Sequence, residues 1–218
     1  METREQGREF KFHDVSPNGT TTNETTRTWL HAVNEAGRLM RTGEDYVNSN
    51  KRYDKAHVLL EKAYRIASKD PNASKLDLAK ICLWDGISLN ENLDIVPFTK
   101  RNDRAIKLYQ KGIEHLRYVH LPKPMGTDVL STRASLYNSL GVAHHHRTTR
   151  WTGGPIPTEA FNAYRKSRDI ILAHPELRNK LATLAKKIKI NSGGHIFVPT
   201  HLRGGAIDET DVIGGNHA

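Results

Sequence analysis

The amino-acid sequence predicts an all-α protein in which about three antiparallel helix pairs form a short solenoid that ends in a capping helix. Three observations support this fold class: apolar residues recur with helical spacing, one pattern of small and large residues occurs three times, and prolines separate the periodic stretches. The two ends of the chain are polar or rich in glycine and lack apolar periodicity. We therefore expect an extended N-terminal arm at residues 1–25, a helical domain at 26–190 and an extended, Gly-rich C-terminal tail at 191–218.

Two periodic stretches predict the first helix pair. Both carry apolar residues at steps of three or four positions, which places these residues on one face of each helix. A threonine just before Trp29 is expected to cap the first helix, and Asp70-Pro71 ends the second. The two apolar faces consist of Trp29, Val33, Ala36 and Met40 in the first helix and of Tyr53, Ala56, Leu60, Ala63 and Ala67 in the second.

Four further helices and a capping helix are predicted along the rest of the chain. The sequence Leu121-Pro122-Lys123-Pro124 separates the second pair from the third, and Pro175 precedes the last helix. That last helix, at residues 176–190, has one apolar face and one basic face and is expected to cap the solenoid. The four helices are predicted at residues 76 to about 89, 104 to about 119, 132 to about 145 and 158 to about 172.

An internal repeat is the most informative signal in the sequence. The segments 53–63, 102–112 and 157–167 align without gaps, and in each a small residue is followed by a large one and then by another small one. Small residues allow two helices to approach closely, and the large residue fills the space beside them. The three sets are Ala56, Leu60 and Ala63; Ala105, Tyr109 and Gly112; and Ala160, Tyr164 and Ser167.

This pattern resembles the second helix of the tetratricopeptide repeat family. The segment 136–144 resembles the family's first helix, and Gly43 with Tyr46 and Gly86 with Leu89 look like weaker copies of it. The resemblance covers about residues 28–175 and implies a solenoid of helix hairpins. The alanines Ala56, Ala105 and Ala160 are 49 and 55 residues apart, whereas the family's usual period is about 34. We therefore expect loop insertions at Asn90–Asn102 and Thr148–Pro157.

Charge and cysteine usage restrict the partners and the compartment. The chain has 33 Lys and Arg against 24 Asp and Glu, a formal charge of +9, which favours anionic partners such as RNA, an acidic protein surface or a charged lipid surface. The single cysteine, Cys82, excludes an internal disulfide and is expected to be buried. No apolar run is long enough to predict a membrane span. We expect a reducing intracellular compartment, either mitochondrial or cytoplasmic.

The family resemblance also suggests where a partner would bind. Members that capture acidic C-termini carry an asparagine after the glycine of the first helix, but this chain has Glu44, Ile87 and Val142 at the matching positions, so that specific binding mode is not predicted. A groove with different chemistry remains, and the resemblance places it at Asn138, Val142, His145 and His146.

The histidine run and the basic segments are other candidate sites. His144-His145-His146 predicts no metal site, because consecutive helical residues point in different directions. The residues after it form a basic segment with an aromatic side chain, and the last helix has a basic face. Both can be solvated surfaces or contacts to RNA. The candidate anion-binding residues are Arg147, Arg150, Trp151, Lys186, Lys187 and Lys189.

Two functions from different classes follow from these observations. The first is a non-catalytic structural or adaptor subunit that mediates protein–protein contacts within a larger complex. The second is an RNA-binding component of a ribonucleoprotein, for example a ribosome-associated or mitoribosomal subunit. The sequence contains no phosphate-binding loop, nucleophile elbow, His-Glu-X-X-His or dinucleotide motif, so we predict neither an enzyme nor a cofactor. An enzyme would instead require a deep polar pocket with shifted pKa values.

Overall fold

The computed structural model of the protein describes residues 23–41, 46–90, 98–119, 125–149, 156–174 and 188. These residues form six α-helices and no strand, so the predicted all-α class is confirmed for the described chain. The helices are α1 (Glu24–Arg41), α2 (Tyr46–Ala67), α3 (Lys75–Asn90), α4 (Phe98–Leu116), α5 (Met125–Thr149) and α6 (Thr158–Ala173).

The helices pack in chain order around a series of linked apolar clusters. Each helix contacts the next one, and α3 also contacts α5. The first cluster joins α1, α2 and α3. The second joins α3, α4, α5 and Ala163 of α6, and the third joins α5, α6 and Ile188. Because α3 and α5 each contribute to two clusters, the core is continuous from the first helix to the last. All nine residues of the predicted small–large–small pattern are buried.

A buried carboxylate attaches the start of α1 to the end of α2. Asn23 caps α1, since its Oδ1 accepts a hydrogen bond from the backbone N–H of Thr26 at 2.7 Å. The hydroxyl of Thr26 and the indole N–H of Trp29 both donate to Oδ2 of Asp70, at 2.6 and 2.9 Å. The prediction that a threonine caps the helix was therefore wrong. Thr26 lies one turn inside α1, where it bonds Asp70 instead.

Two glycine–tyrosine contacts repeat along the chain. A Cβ on Gly86 of α3 would lie under 3.0 Å from the ring of Tyr109 in α4, and a Cβ on Gly141 of α5 would lie equally close to the ring of Tyr164 in α6. In both pairs the partners are 23 residues apart, and the second pair follows the first by 55 residues. The spacing between the buried anchors Ala105 and Ala160 is the same. The repeat seen in the sequence therefore corresponds to a repeated contact between helices.

Several helices begin earlier than the periodicity predicts. The helix α2 begins at Tyr46 and α4 at Phe98, so part of the predicted insertion Asn90–Asn102 is helical. The helix α5 begins at Met125, directly after the proline sequence that was interpreted as a break, because proline is also tolerated where a helix starts. Residues 24 and 25, assigned to the arm, belong to α1.

Three predicted segments lie outside the described residues. They are the rest of the arm, the tail 191–218 and the capping helix apart from Ile188. Gly43 of the weak first copy also lies outside them.

Candidate functional site

The described residues form a cleft of about 420 Å³ between α2 and α4, with α3 at its base. The lining residues of α2 and of α4 recur at three- and four-residue steps along each helix. The cleft is therefore lined by one face of α2 and one face of α4. Its lining residues are His57, Glu61, Tyr64 and Arg65 from α2, Asp85 from α3, and Arg104, Lys107, Leu108 and Lys111 from α4.

The base of the cleft contains a close histidine–carboxylate pair. Nδ1 of His57 lies 2.5 Å from Oδ1 of Asp85, whose side chain is only 3% exposed. The hydroxyl of Ser88 lies 3.4 Å from the same Oδ1. Burial raises the pKa of Asp85, and the hydrogen bond and charge of His57 oppose this shift. His57 therefore satisfies a carboxylate that would otherwise be costly to bury in its charged form.

The second ring nitrogen of His57 faces α4. Nε2 of His57 lies 3.0 Å from a guanidinium nitrogen of Arg104, and that nitrogen also lies 3.2 Å from Oε1 of Glu61. Because a guanidinium group only donates hydrogen bonds, Nε2 is the acceptor. In this arrangement Nδ1 is the ring nitrogen that donates a hydrogen bond to Asp85. Arg104 thus bridges two residues of α2, and the ion pair of Arg101 with Asp54 at 3.0 Å joins the same two helices.

Three further cations line the cleft on its solvent side. Arg65, Lys107 and Lys111 are exposed, and no carboxylate in the described part of the chain forms an ion pair with them. The ammonium of Lys111 lies 3.8 Å from the centre of the Tyr64 ring. The Tyr64 hydroxyl lies 2.7 Å from Nε2 of His115, whose pKa is lowered by burial and then by Lys75 and Lys111.

The charges of the cleft suit the binding of an anion. Four Lys and Arg side chains line it against two carboxylates, Asp85 and Glu61, each of which already lies against a positive or hydrogen-donating partner. None of the lining residues is a serine, threonine or cysteine that His57 could activate. Cys82 is buried, as the sequence predicted, and burial raises the pKa of its thiol to about 12. A thiol with this pKa is protonated and a poor nucleophile at neutral pH.

The groove residues suggested by the family resemblance all lie on α5. Asn138 is buried, and Val142 is half-buried and packs against the cluster formed by α5 and α6. His145 and His146 are half-buried near the end of the same helix, one turn or slightly less beyond Val142. The four residues therefore share one helix, and each of them is buried or half-buried.

The histidine run is partly buried. Burial lowers the pKa of His144 and lowers that of His146 to about 4, the latter with a further contribution from His145. Burial therefore favours the neutral form of both rings. Within the described ranges, no group of three or more His, Cys, Asp and Glu side chains is arranged to hold a metal ion.

Only one of the predicted anion-contacting residues has a described side chain. Arg147 is half-exposed at the end of α5, and its Nε lies 3.2 Å from Oδ1 of Asp103 in α4. Arg150, Trp151, Lys186, Lys187 and Lys189 lie outside the described residues. The basic residues that the structure does bring together, in the cleft, are different ones.

Sequence reasoning missed the cleft because its residues come from three helices. His57 and Asp85 are 28 residues apart, and neither belongs to a recognisable motif. One signal was present: Asp85 interrupts the otherwise apolar segment Ile81–Ile87, and a carboxylate on a buried helix face requires a partner.

No family model, characterised protein or solved structure matches this chain. In the part of the chain that the structure describes, no helix is both long enough and apolar enough to cross a membrane.

Proposed function

We propose that this protein is a non-catalytic adaptor subunit, built from three tetratricopeptide-like antiparallel helix pairs, that mediates protein–protein contacts within a larger complex. The single observation that supports it best is the repeated contact of Gly86 with Tyr109 and of Gly141 with Tyr164. A chain that repeats the same close helix contact builds an elongated stack with a large surface for its volume, and such surfaces commonly bind other proteins.

The proposed pairing joins α1 with α2, α3 with α4, and α5 with α6. The loops within each pair and the capping helix at 176–190 are part of this proposal. The buried Ile188 supports the cap, because it packs in the same cluster as residues of α5 and α6. The compartment in this proposal is intracellular and reducing, mitochondrial or cytoplasmic, since the one thiol is buried and unpaired.

Two surfaces are available to partners in this proposal. One is the predicted groove on α5 with Asn138, Val142, His145 and His146. The other is the cleft between α2 and α4. The non-catalytic part of the proposal is supported by the cleft's composition, because its histidine is held between Asp85 and Arg104 rather than beside a nucleophile.

RNA binding is the second candidate function. The formal charge of +9 favours it, and Arg147 presents a half-exposed guanidinium next to the predicted basic segment. In this alternative, Arg147, Arg150, Trp151, Lys186, Lys187 and Lys189 would contact the nucleic acid.

A native pulldown of the tagged full-length chain from its source, with and without RNase and read by mass spectrometry, tests the proposal. A fixed set of protein partners that survives RNase is the expected result. Loss of those partners on RNase treatment would instead assign the protein to RNA binding. Replacing the five basic residues with glutamine should leave the partner set unchanged if the adaptor proposal holds; they are Arg147, Arg150, Lys186, Lys187 and Lys189.

A further inference from the structure

The cleft between α2 and α4 contains more Lys and Arg side chains than it has carboxylates to form ion pairs with them. Asp85 is engaged by His57, and Glu61 by Arg104. Arg65, Lys107 and Lys111 remain at the cleft's edge without a carboxylate partner in the described chain. Like charges held this close together repel one another, and an anion bound between them would relieve that repulsion.

The positions of these cations indicate what kind of anion fits. Lys107 and Lys111 are one helical turn apart on α4, which corresponds to about 6 Å along the helix axis. Alternate residues of an extended peptide are separated by about 6.6–6.8 Å and point to the same side. Two carboxylates at alternate positions of an extended segment therefore match the spacing of the two lysines along α4.

The aromatic residue of the cleft distinguishes a peptide from RNA. Proteins that bind single-stranded RNA offer aromatic faces on which bases stack. The ring of Tyr64 is the aromatic group in the cleft lining, and the Lys111 ammonium lies over it at 3.8 Å. Its hydroxyl is engaged with His115. Leu108, half-buried between the two lysines, instead offers an apolar contact to a peptide side chain.

We propose that the cleft between α2 and α4 binds an extended acidic segment of a partner protein, with Lys107 and Lys111 contacting carboxylates at alternate positions and Arg65 contacting the segment from the opposite wall. Arg104 and Glu61 hold the walls together, and His57 with Asp85 supports the base. This inference rests on the proposed adaptor function and assigns a partner chemistry to it. The cleft is separate from the predicted groove on α5.

The test is fluorescence anisotropy with the full-length protein and a labelled peptide of about eight residues in which Glu alternates with Thr, a composition that favours an extended strand. A peptide with Gln in place of Glu is the negative control. The variant K107Q/K111Q should weaken binding of the Glu peptide at least about tenfold, because both charge contacts are lost. The control K62Q/K69Q removes two exposed lysines outside the cleft lining, one in α2 and one just after it, and it should bind within about twofold of the wild type.

Several results would overturn the inference. These are no binding of the Glu peptide, equal losses in both lysine variants, or a single-stranded RNA oligonucleotide that displaces the peptide at equal concentration. Circular dichroism melts of each variant exclude unfolding as the cause of a loss. The inference and the adaptor proposal fail separately: RNase-resistant partners that K107Q/K111Q retains in the pulldown would refute the cleft site alone, whereas absence of such partners from the wild-type pulldown would refute the adaptor function.

Discussion

At the scale of single residues, Asp70 determines how the start of α1 is held against the end of α2. It accepts hydrogen bonds from Thr26, Trp29 and the backbone N–H of Asn72. The variant D70A should lower the free energy of unfolding by about 2–3 kcal/mol, because it leaves the buried indole N–H of Trp29 without its acceptor. Urea titration followed by Trp fluorescence measures this change. The control D169N removes an exposed carboxylate and should cost less than about 0.5 kcal/mol.

The contribution of Asp70 should also depend on pH. Burial on its own would raise the pKa of Asp70, but the hydrogen bonds from Thr26, Asn72 and Trp29 lower it overall. A carboxylate whose pKa is lower in the folded state stabilises the fold above its unfolded pKa of about 3.9 and loses that effect as the pH falls through the folded value. The stability difference between the wild type and D70A should therefore shrink below about pH 4. A difference that is equal at pH 7 and pH 3 would contradict the assignment.

The His57–Asp85 pair gives a second prediction at this scale: substitutions of the two partners should lower the free energy of unfolding by unequal amounts. H57A leaves a buried carboxylate without its close partner and should cost about 3 kcal/mol at pH 7, whereas D85N removes the charge and should cost about 1 kcal/mol. Because burial raises the pKa of Asp85 and His57 opposes this, the H57A protein should regain stability as the pH is lowered and the carboxyl group takes up a proton. Thermal melts of both variants at pH 5 and pH 7 measure the effect. Equal losses of stability in H57A and D85N at pH 7 would mean that the pair does not carry a charge.

At the scale of helices, the glycine–tyrosine contact predicts that a glycine-to-alanine substitution destabilises the protein, the opposite of its usual effect in an exposed helix. In an exposed helix this change usually stabilises by about 1 kcal/mol. At Gly141 the new Cβ would overlap the ring of Tyr164, so G141A should destabilise by about 2–3 kcal/mol. The double variant G141A/Y164L should recover at least about 1 kcal/mol relative to G141A, since Leu60 occupies the matching position of the first repeat. Additive losses in this cycle would show that the two residues do not interact.

Helix type, the core and the bounds of α3 and α6 (to within one residue) could be predicted from the sequence, but the starts of α2, α4 and α5 could not. The spacing of Ala105, Tyr109 and Gly112 predicted which face of α4 is buried, because a 3.6-residue period determines which side chains share a face. The start of α5 could not be predicted, since a proline sequence both ends and begins helices. The turns before Tyr53 in α2 and before Arg104 in α4 are mostly polar, so no apolar pattern marks them as helical.

The candidate cleft could not be predicted because it depends on packing between helices. Periodicity placed His57 and Arg65 on the outer face of α2, but it gave no information about which helix lies opposite. The distance between His57 and Asp85 follows from how α2 crosses α3, and side-chain spacing within one helix does not encode a crossing angle. The family resemblance instead pointed to a groove on α5, which is a different surface from the cleft between α2 and α4.

At the scale of the whole molecule, the core is a series of linked clusters. The third cluster includes Ile188, which lies 15 residues beyond the end of α6. Ile188 is fully buried and packs with Tyr164, Ile171 and other residues of the third cluster. In a stacked fold each unit is stabilised mainly by its neighbours, so an uncovered terminal pair exposes apolar surface to water. Ile188 therefore covers apolar surface of the cluster that α5 and α6 form, which is the role that the proposed capping helix requires.

The variant I188A tests this role. It removes a buried aliphatic side chain from the last cluster and should lower the free energy of unfolding by about 2–4 kcal/mol. The control L172A truncates a side chain that is 41% exposed at the end of α6 and should cost less than about 1 kcal/mol. Native-state hydrogen exchange localises the effect: in I188A the amides of α6 should lose protection before those of α3, because the first two clusters do not include Ile188. Uniform loss of protection along all six helices would mean that the molecule unfolds as one cooperative unit and that Ile188 stabilises all of it rather than the third cluster alone.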